Sequence, residues 1–250
     1  MFYKSSEFLT PENLIKSRKK YQSNLTSKSG LNLFESSVHS QNGEDGVLEK
    51  IFGEIGFSNK TCVEFGCLSN FQYSNTRYLS KKYGLRSVSF DSVNQNHKEG
   101  LFKEFITVEN INGIFGKYNI PIDLDLLSID IDGNDFWAWK ALQSNPRVVI
   151  IENNPLITCE FDRIVKYNPH FQYKNSYFGA SILSIFRLGR SKGYSLVAQV
   201  EYNSIFIKDD ELEKLEAEIP NLNDVEKFYQ PQEGFWIAQD TDGLWEESGL

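Results

Sequence analysis

Apolar residues in this 250-residue chain follow two different spacings from about residue 40 onward. Positions three and four apart, as in Val47, Leu48, Ile51 and Ile55, predict helices, and short continuous apolar runs predict strands. The predicted strands are 61–65, 87–90, 105–108, 124–131, 148–151, 194–200 and 204–207. The predicted helices are 47–55, 74–83, 111–118, 135–143 and 180–191. Continuous apolar strands separated by helices are typical of a parallel sheet covered on both faces.

The last two predicted strands, 194–200 and 204–207, are separated by so few residues that we expect an antiparallel pair. Residues 38–210 are therefore predicted to form one α/β domain with a mostly parallel sheet. Residues 1–37 are predicted to be a helical extension. Residues 211–250 are predicted to be an acidic helix (211–218) and an aromatic tail packed on the same domain, the tail containing Phe235, Trp236 and Trp245.

The stretch 153–178 has no clear periodicity and is rich in Asn, Tyr and Pro. A loop of this length inside a compact domain is usually a lid or a binding loop. Its aromatic and imidazole side chains are candidates for stacking against a ligand; they are Tyr167, His170, Phe171 and Tyr173.

Charge and composition narrow the classes of partner. The chain has 34 acidic and 26 basic residues, a net charge of −8, which argues against a nucleic-acid-binding surface. No apolar run approaches the roughly 20 residues that a membrane span requires. The three cysteines form no metal-type pair and are too few for a disulfide framework. We therefore expect a cytoplasmic protein, and a homo-oligomer remains open.

Polar and acidic residues directly follow the predicted strands. Open parallel sheets bind ligands outside the carboxyl ends of their strands, so these residues are the first candidates for a site. After the second strand, Asp91 is placed to accept hydrogen bonds from a ribose diol, although it can equally cap the next helix. After the first strand, Gly66 lets the backbone approach a ligand closely.

The stretch around the fourth strand offers a cluster of oxygen ligands. Asp130, Asp132 and Asp135 follow this strand, and Glu152 with Asn153 follows the next. Carboxylate and amide oxygens suit a hard divalent cation, Mg²⁺ or Mn²⁺. The alternative is that these acids only cap the next helix and bind water.

Several strings, in order, resemble the FkbM-type methyltransferases and their relatives across about residues 38–207. They are Ser40–Gly46, Val63–Gly66, Ser74–Leu79, Asn110–Asn112, Asp125–Asp135 and Tyr177–Ser181. This resemblance implies a seven-stranded Rossmann-like sheet with the last strand antiparallel, and S-adenosylmethionine as methyl donor. It also implies O-methylation of a hydroxyl on a sugar, either a nucleotide-linked sugar or a precursor of a capsule or surface polysaccharide. The residues that it assigns to the donor are Gln41, Glu64, Gly66, Asn75, Asp91 and Asn110.

The central string is also similar to strings of metal-dependent sugar O-methyltransferases. That similarity implies that Asp132, Glu152 and Asn153 are metal ligands and that Asp135 stands where a catalytic base would be. Asp130, a carboxylate at the end of the same strand, is the other candidate for taking the proton. The loop after Gly66 departs from the family because it lacks further glycines. Such a loop does not support phosphate binding, which disfavours a dinucleotide more than S-adenosylmethionine, a donor without phosphates.

Two further interpretations of the function stay open. Asp130-Ile131-Asp132 fits the Asp-x-Asp pattern with which glycosyltransferases hold a metal and a sugar nucleotide. The atypical loop Cys67–Asn70 is also compatible with a binding module that kept the fold but lost the donor site.

Overall fold

A computed structural model describes residues 11–25, 28–173, 177–231 and 245–250. Phe235 and Trp236 of the predicted aromatic tail lie outside these residues. The helices are α1 (Pro11–Lys20), α2 (Glu44–Ile55), α3 (Arg77–Tyr83), α4 (Ile111–Lys117), α5 (Asp135–Ala141) and α6 (Ile182–Ser191). The strands are β1 (Thr61–Phe65), β2 (Arg86–Asp91), β3 (Leu101–Lys103), β4 (Leu126–Ile129), β5 (Val148–Glu152), β6 (Ile164–Val165), β7 (Tyr194–Val200), β8 (Asn203–Lys208) and β9 (Trp245–Glu246).

Seven strands form the main sheet, in the order β3-β2-β1-β4-β5-β8-β7. Strands β1 to β5 pair in parallel, whereas β8 is antiparallel to both β5 and β7. The predicted fold class, a mostly parallel Rossmann-like sheet of seven strands with its last strand antiparallel, is confirmed.

Successive strand residues point to opposite faces of the sheet, and helices bury both faces. Within β1, Val63 and Phe65 join the apolar cluster that α4, α5 and α6 cover, whereas Cys62 joins the cluster under α2 and α3. Strand β4 alternates in the same way, with Leu127 and Ile129 on the first side. The sheet is thus held between two layers of helices, and its strand ends are left to the loops.

Three predicted elements differ in the structure. The strand predicted over 105–108 is wrong, because β3 lies four residues earlier and the chain there is irregular. The fourth strand ends at Ile129 rather than at residue 131, so Asp130 and Asp132 belong to the loop beyond it. The helix predicted over 211–218 is instead a 3₁₀ segment, Asp209–Lys214.

The loop 153–178 has a small core of its own. Strand β6 pairs with β9 at the C-terminus, and Trp245 packs with Ile157, Phe161 and Val165. The C-terminal residues are therefore tied to this loop, which follows β5 at the carboxyl edge of the sheet. Among the described residues, no helix has the length and apolarity that crossing a membrane requires.

Candidate functional site

A cleft lies where the strand order reverses, between β1 and β4. This is the topological switch point at which open α/β sheets bind their ligands. Its empty volume, including space open to solvent, is about 690 Å³. Its lining comes from the ends of β1, β2 and β4, the chain after β3, and one loop aromatic: Gly66, Leu68, Phe90, Asp91, Ser92, Glu104, Phe105, Ile106, Asp130, Ile131, Asp132, Asn134 and Phe171.

Another groove, between α2 and the segment after β8, is larger but has different chemistry. Its lining includes Glu49, Lys50, Glu54 and Lys214, and Lys50 and Glu54 form an ion pair on the helix surface. No residue at the carboxyl end of a main-sheet strand reaches this groove. We therefore place the candidate site in the switch-point cleft.

Gly66 ends β1 where the backbone of the neighbouring strand end comes very close. Its φ is +79°, and a Cβ on this residue would lie 1.7 Å from the carbonyl oxygen of Asp130. Only glycine fits both this conformation and this contact. The first turn of the cleft and the acidic loop after β4 are thus packed backbone against backbone.

The Glu64 carboxylate is buried beneath this turn and is used within the protein. The Ser74 and Thr76 hydroxyls donate to its Oε2 at 2.5 and 2.8 Å, and the Asn75 N–H donates to Oε1 at 2.7 Å. Burial raises the pKa of Glu64, while these donors act in the opposite direction. Asn75 in turn donates from Nδ2 to Ser128 Oγ on β4. Glu64 and Asn75, which were predicted to bind the methyl donor, therefore hold the segment 74–76 against the sheet and do not line the cleft.

Replacing Thr76 with Val is expected to lower the free energy of unfolding by about 2 kcal/mol, because it removes a hydrogen bond to a buried carboxylate without changing the shape of the side chain. Urea denaturation measures this change. The control is Ser80→Ala on α3, whose hydroxyl only bonds back to the carbonyl of Arg77 and should matter by less than about 0.5 kcal/mol. Equal losses in the two variants would show that the Glu64 contact stabilises nothing.

The three other residues predicted to bind the methyl donor lie in different environments. Asp91 lines the cleft, and its Oδ1 accepts the N–H groups of Val93 and Asn94, so Oδ2 is left for a ligand. Asn110 uses both ends of its amide in its own turn, to the backbone of Thr107 and Phe105. Gln41 is exposed and does not line the cleft. Of the six residues, the cleft brings together Gly66 and Asp91.

Three acids meet at the ends of β4 and β5. Carboxylate oxygens of Asp130, Asp132 and Glu152 all lie within 4.8 Å of one another. Burial, followed by the repulsion of neighbouring carboxylates, raises the pKa of both Asp130 and Glu152. Asp132 has a φ of +57°, a left-handed conformation that aspartate tolerates better than most residues. We call Asp130, Asp132 and Glu152 the acid triad.

The structure gives Asp135 and Asn153 other partners than the predicted ones. Asp135 is fully buried, and its two oxygens each accept a 2.8 Å hydrogen bond, from the N–H groups of Ile131 and Gly133. Burial raises the pKa of Asp135 to about 6. It shapes the loop that carries Asp132 and does not line the cleft. A base role there has no support in this geometry.

The amide oxygen of Asn153 accepts hydrogen bonds from Gln199 Nε2 at 2.8 Å and from Ser204 Oγ at 2.9 Å. These contacts tie β5 to β7 and β8. Asn153 is 1% exposed, and the two hydrogen bonds that its amide oxygen accepts use both lone pairs of that oxygen. The acid triad contains Asp130 instead, which the two ligand strings of the sequence did not include.

Sequence reasoning also missed Asn134, and it did not single out Phe171 among the four loop candidates. Phe171 is the one that lines the cleft, whereas the Tyr167 hydroxyl bonds to Glu109 and Tyr173 packs against Phe178. The Phe171 ring covers Gly133, where a Cβ would lie 2.2 Å from its Cδ1. Asn134 donates from Nδ2 to the carbonyl of Asn168 at 2.7 Å, which holds this part of the loop at the cleft.

Comparisons with known proteins add little to these observations. No protein-family model matches the chain, and no curated protein sequence matches it significantly. A solved structure with some similarity is a SAM-dependent methyltransferase from Aquifex aeolicus, with 12% sequence identity and a TM-score of 0.31, over 76% of this chain and 96% of that one. A similarity at this level does not bear on function, so the function must be argued from the cleft itself.

Proposed function

We propose that this protein is an S-adenosylmethionine-dependent O-methyltransferase that methylates a hydroxyl of a sugar, assisted by a divalent cation. The observation that carries this proposal is the lining of the switch-point cleft. It offers the acids Asp91, Asp130 and Asp132, and the described residues that line it include no Lys, Arg or His. Such a cleft suits a nucleoside with a ribose diol and a positively charged sulfonium, and it lacks the cations that bind a phosphate-bearing ligand.

Each part of the lining fits one part of this donor. Asp91, at the end of β2, has a free oxygen with which to accept the ribose hydroxyls. Phe105 is 48% exposed at the cleft although it is a large apolar side chain, and its ring with Ile106 offers an apolar wall for a base. Gly66 lets the donor approach the backbone between β1 and β4.

The acid triad fits a divalent cation, Mg²⁺ or Mn²⁺. All its ligands are carboxylate oxygens, the donor set that these hard ions prefer. Oε2 of Glu152 is buried and has no hydrogen-bond partner among the described residues, a costly state that a bound cation would relieve. When bound, a divalent cation supplies Lewis-acid polarisation of the acceptor hydroxyl. Asp130, Asp132 and Glu152 would hold it.

The remaining chemistry is the removal of one proton. As the acceptor oxygen forms its bond to the methyl carbon, the carbon–sulfur bond of the donor breaks and the hydroxyl proton must leave. Asp130 lines the cleft and belongs to the acid triad. A carboxylate has two oxygens, so Asp130 would hold the cation through one of them and keep the other to accept the proton. Asp135 positions the loop for this step through its bonds to Ile131 and Gly133.

Calorimetric titration with S-adenosylhomocysteine, the product form of the donor, tests the proposal. We expect micromolar binding that Asp91→Asn weakens about 10- to 100-fold, since the variant keeps the Oδ1 contacts to the backbone but loses the charge. Asp224→Asn is the matched control, because Asp224 accepts a backbone N–H two residues ahead in the same way, far along the chain from the cleft residues. Absence of binding would exclude the methyltransferase, and absence of sugar-nucleotide binding as well would favour the non-catalytic module.

A glycosyltransferase is the second candidate, favoured by one observation. Asp130 and Asp132, the two acids of the Asp-x-Asp pattern, do lie together in the acid triad. The same calorimetry separates the two candidates: binding of a sugar nucleotide with Mg²⁺, but not of S-adenosylhomocysteine, would favour this alternative.

A further inference from the structure

The charge of the cleft restricts the acceptor as well as the donor. Of its four lining acids, Glu104 is paired with Lys117. Asp91, Asp130 and Asp132 have no cationic partner among the described residues. A divalent cation on the acid triad would balance part of this charge, but the described lining supplies no Lys, Arg or His to bind the other oxygens of a phosphate or diphosphate. An acceptor without a phosphate does not need such groups.

One wall of the cleft beside the acid triad is aromatic. The Phe171 ring lies over Gly133, directly between Asp132 and Asn134 in sequence. The centroid of the Phe171 ring also lies 6.0 Å from that of Tyr177, and the Tyr177 centroid lies 4.7 Å from that of Trp245. Contacts with the small core of the loop therefore hold the ring in place, and Phe171 offers an apolar surface to the cleft.

A buried hydrogen-bond acceptor lies beside this ring. Asn134 is 5% exposed and lines the cleft, and its Oδ1 is buried without a hydrogen-bond partner among the described residues. Its Nδ2 is fixed on the carbonyl of Asn168, so the amide cannot turn to satisfy Oδ1 without losing that bond. A buried acceptor left unpaired in this way is costly. A ligand hydroxyl is the group that would satisfy it.

We propose that the acceptor is a sugar unit without a phosphate, such as a glycoside or the end of a glycan. Its apolar ring face stacks on Phe171, and one of its hydroxyls donates to Asn134 Oδ1. This inference rests on the proposed methyltransferase function and narrows it, because it removes nucleotide-linked sugars from the two acceptor classes. Phe171 and Asn134 are then the residues that select the acceptor, while Asp91 and Gly66 serve the donor.

The test is methyl transfer from radiolabelled S-adenosylmethionine to two matched sets of acceptors, with Mg²⁺ present. One set is the methyl glycosides of glucose, galactose and mannose, and the other is the corresponding nucleotide diphosphate sugars. We expect label in at least one neutral glycoside, with kcat/KM at least about tenfold above its nucleotide-linked counterpart. The inference is overturned if the nucleotide sugars react equally well or better, or if no neutral glycoside is labelled by protein that binds S-adenosylhomocysteine. Lack of S-adenosylhomocysteine binding marks failure of the proposed function itself.

Phe171→Ala tests the stacking wall with the best neutral acceptor. We expect KM for the acceptor to rise about tenfold, with kcat and the Kd of S-adenosylhomocysteine changed less than twofold, and Phe171→Tyr to restore the original KM. Tyr173→Ala is the control from the same loop, since the Tyr173 ring packs 5.5 Å from Phe178 and does not line the cleft. An unchanged KM in Phe171→Ala, or the same rise in Tyr173→Ala, contradicts the assignment. Phe171→Leu gives the same readout if the alanine variant does not fold.

Discussion

Asp132→Asn is expected to lower kcat about 1,000-fold while the Kd of S-adenosylhomocysteine stays within about threefold of the original. Asp132 is the triad member that the left-handed turn after β4 places at the cleft, with a φ of +57°. Asparagine tolerates this conformation equally well, so the substitution removes charge without straining the loop. Steady-state kinetics and calorimetry measure the two effects separately, and a parallel loss of both would contradict a role confined to the acid triad.

Direct cation binding provides a readout that does not depend on activity. Calorimetric titration with Mn²⁺ should show one site in the original protein and none in Asp132→Asn or Glu152→Gln. Asp123→Asn is the matched control, because Asp123 lies just before β4 and the hydrogen bond that its carboxylate accepts from Asn59 Nδ2 is long, at 3.4 Å. Full activity in excess chelator, with no Mn²⁺ binding, would remove the cation from the proposed mechanism. Asp130 alone would then assist the reaction, by accepting the hydroxyl proton.

The strands that bury both faces were the most predictable part of the molecule. Strands β1 and β7 have the predicted bounds, β5 is one residue longer at its end, and β8 is one residue longer at each end. Their apolar runs are continuous because helices cover both sides of the sheet. The strand predicted over 105–108 is wrong for a related reason: Phe105 and Ile106 are apolar because they line the cleft, not because they pair with a strand. Apolar sequence alone does not distinguish these two uses.

The position of the site was predictable, but the hydrogen-bond partners within it were not. Asp91, Asp130, Asp132 and Glu152 follow strands, and the carboxyl ends of parallel strands meet at one edge of the sheet. Asn153 also follows a strand, yet its oxygen faces Gln199 and Ser204. Residues adjacent in sequence near a strand end point in different directions, and which of two polar neighbours joins the acid triad depends on where the strand ends.

Loop residues were the hardest to assign from sequence. Phe171 lies in a stretch without periodicity, and four aromatic or imidazole candidates in that stretch had equal standing. What distinguishes Phe171 is a tertiary contact, the ring lying over the bare backbone of Gly133. The signal available in the sequence was the presence of Gly133. In the structure its φ is not in the left-handed region, so the close approach of the Phe171 ring is the remaining reason for a glycine at this position.

Gly66→Ala is expected to lower the free energy of unfolding by about 4 kcal/mol and to abolish binding of S-adenosylhomocysteine. Two costs add together. The residue would keep a φ of +79°, a conformation that costs a residue with a side chain about 1–2 kcal/mol. Its Cβ would also lie 1.7 Å from the Asp130 carbonyl oxygen, and because that atom belongs to the backbone, relief requires β1 and β4 to move apart.

Gly84→Ala separates these two costs. Gly84 has a φ of +69° at the end of α3, but nothing lies within 4 Å of the position that its Cβ would take. Its substitution should therefore cost only the conformational part, about 1–2 kcal/mol in urea denaturation, and leave binding of S-adenosylhomocysteine unchanged. Equal losses of stability in the two variants would mean that Gly66 is needed for its conformation alone. A larger loss in Gly66→Ala together with a loss of ligand binding would place the contact between β1 and the acidic loop at the base of the donor site.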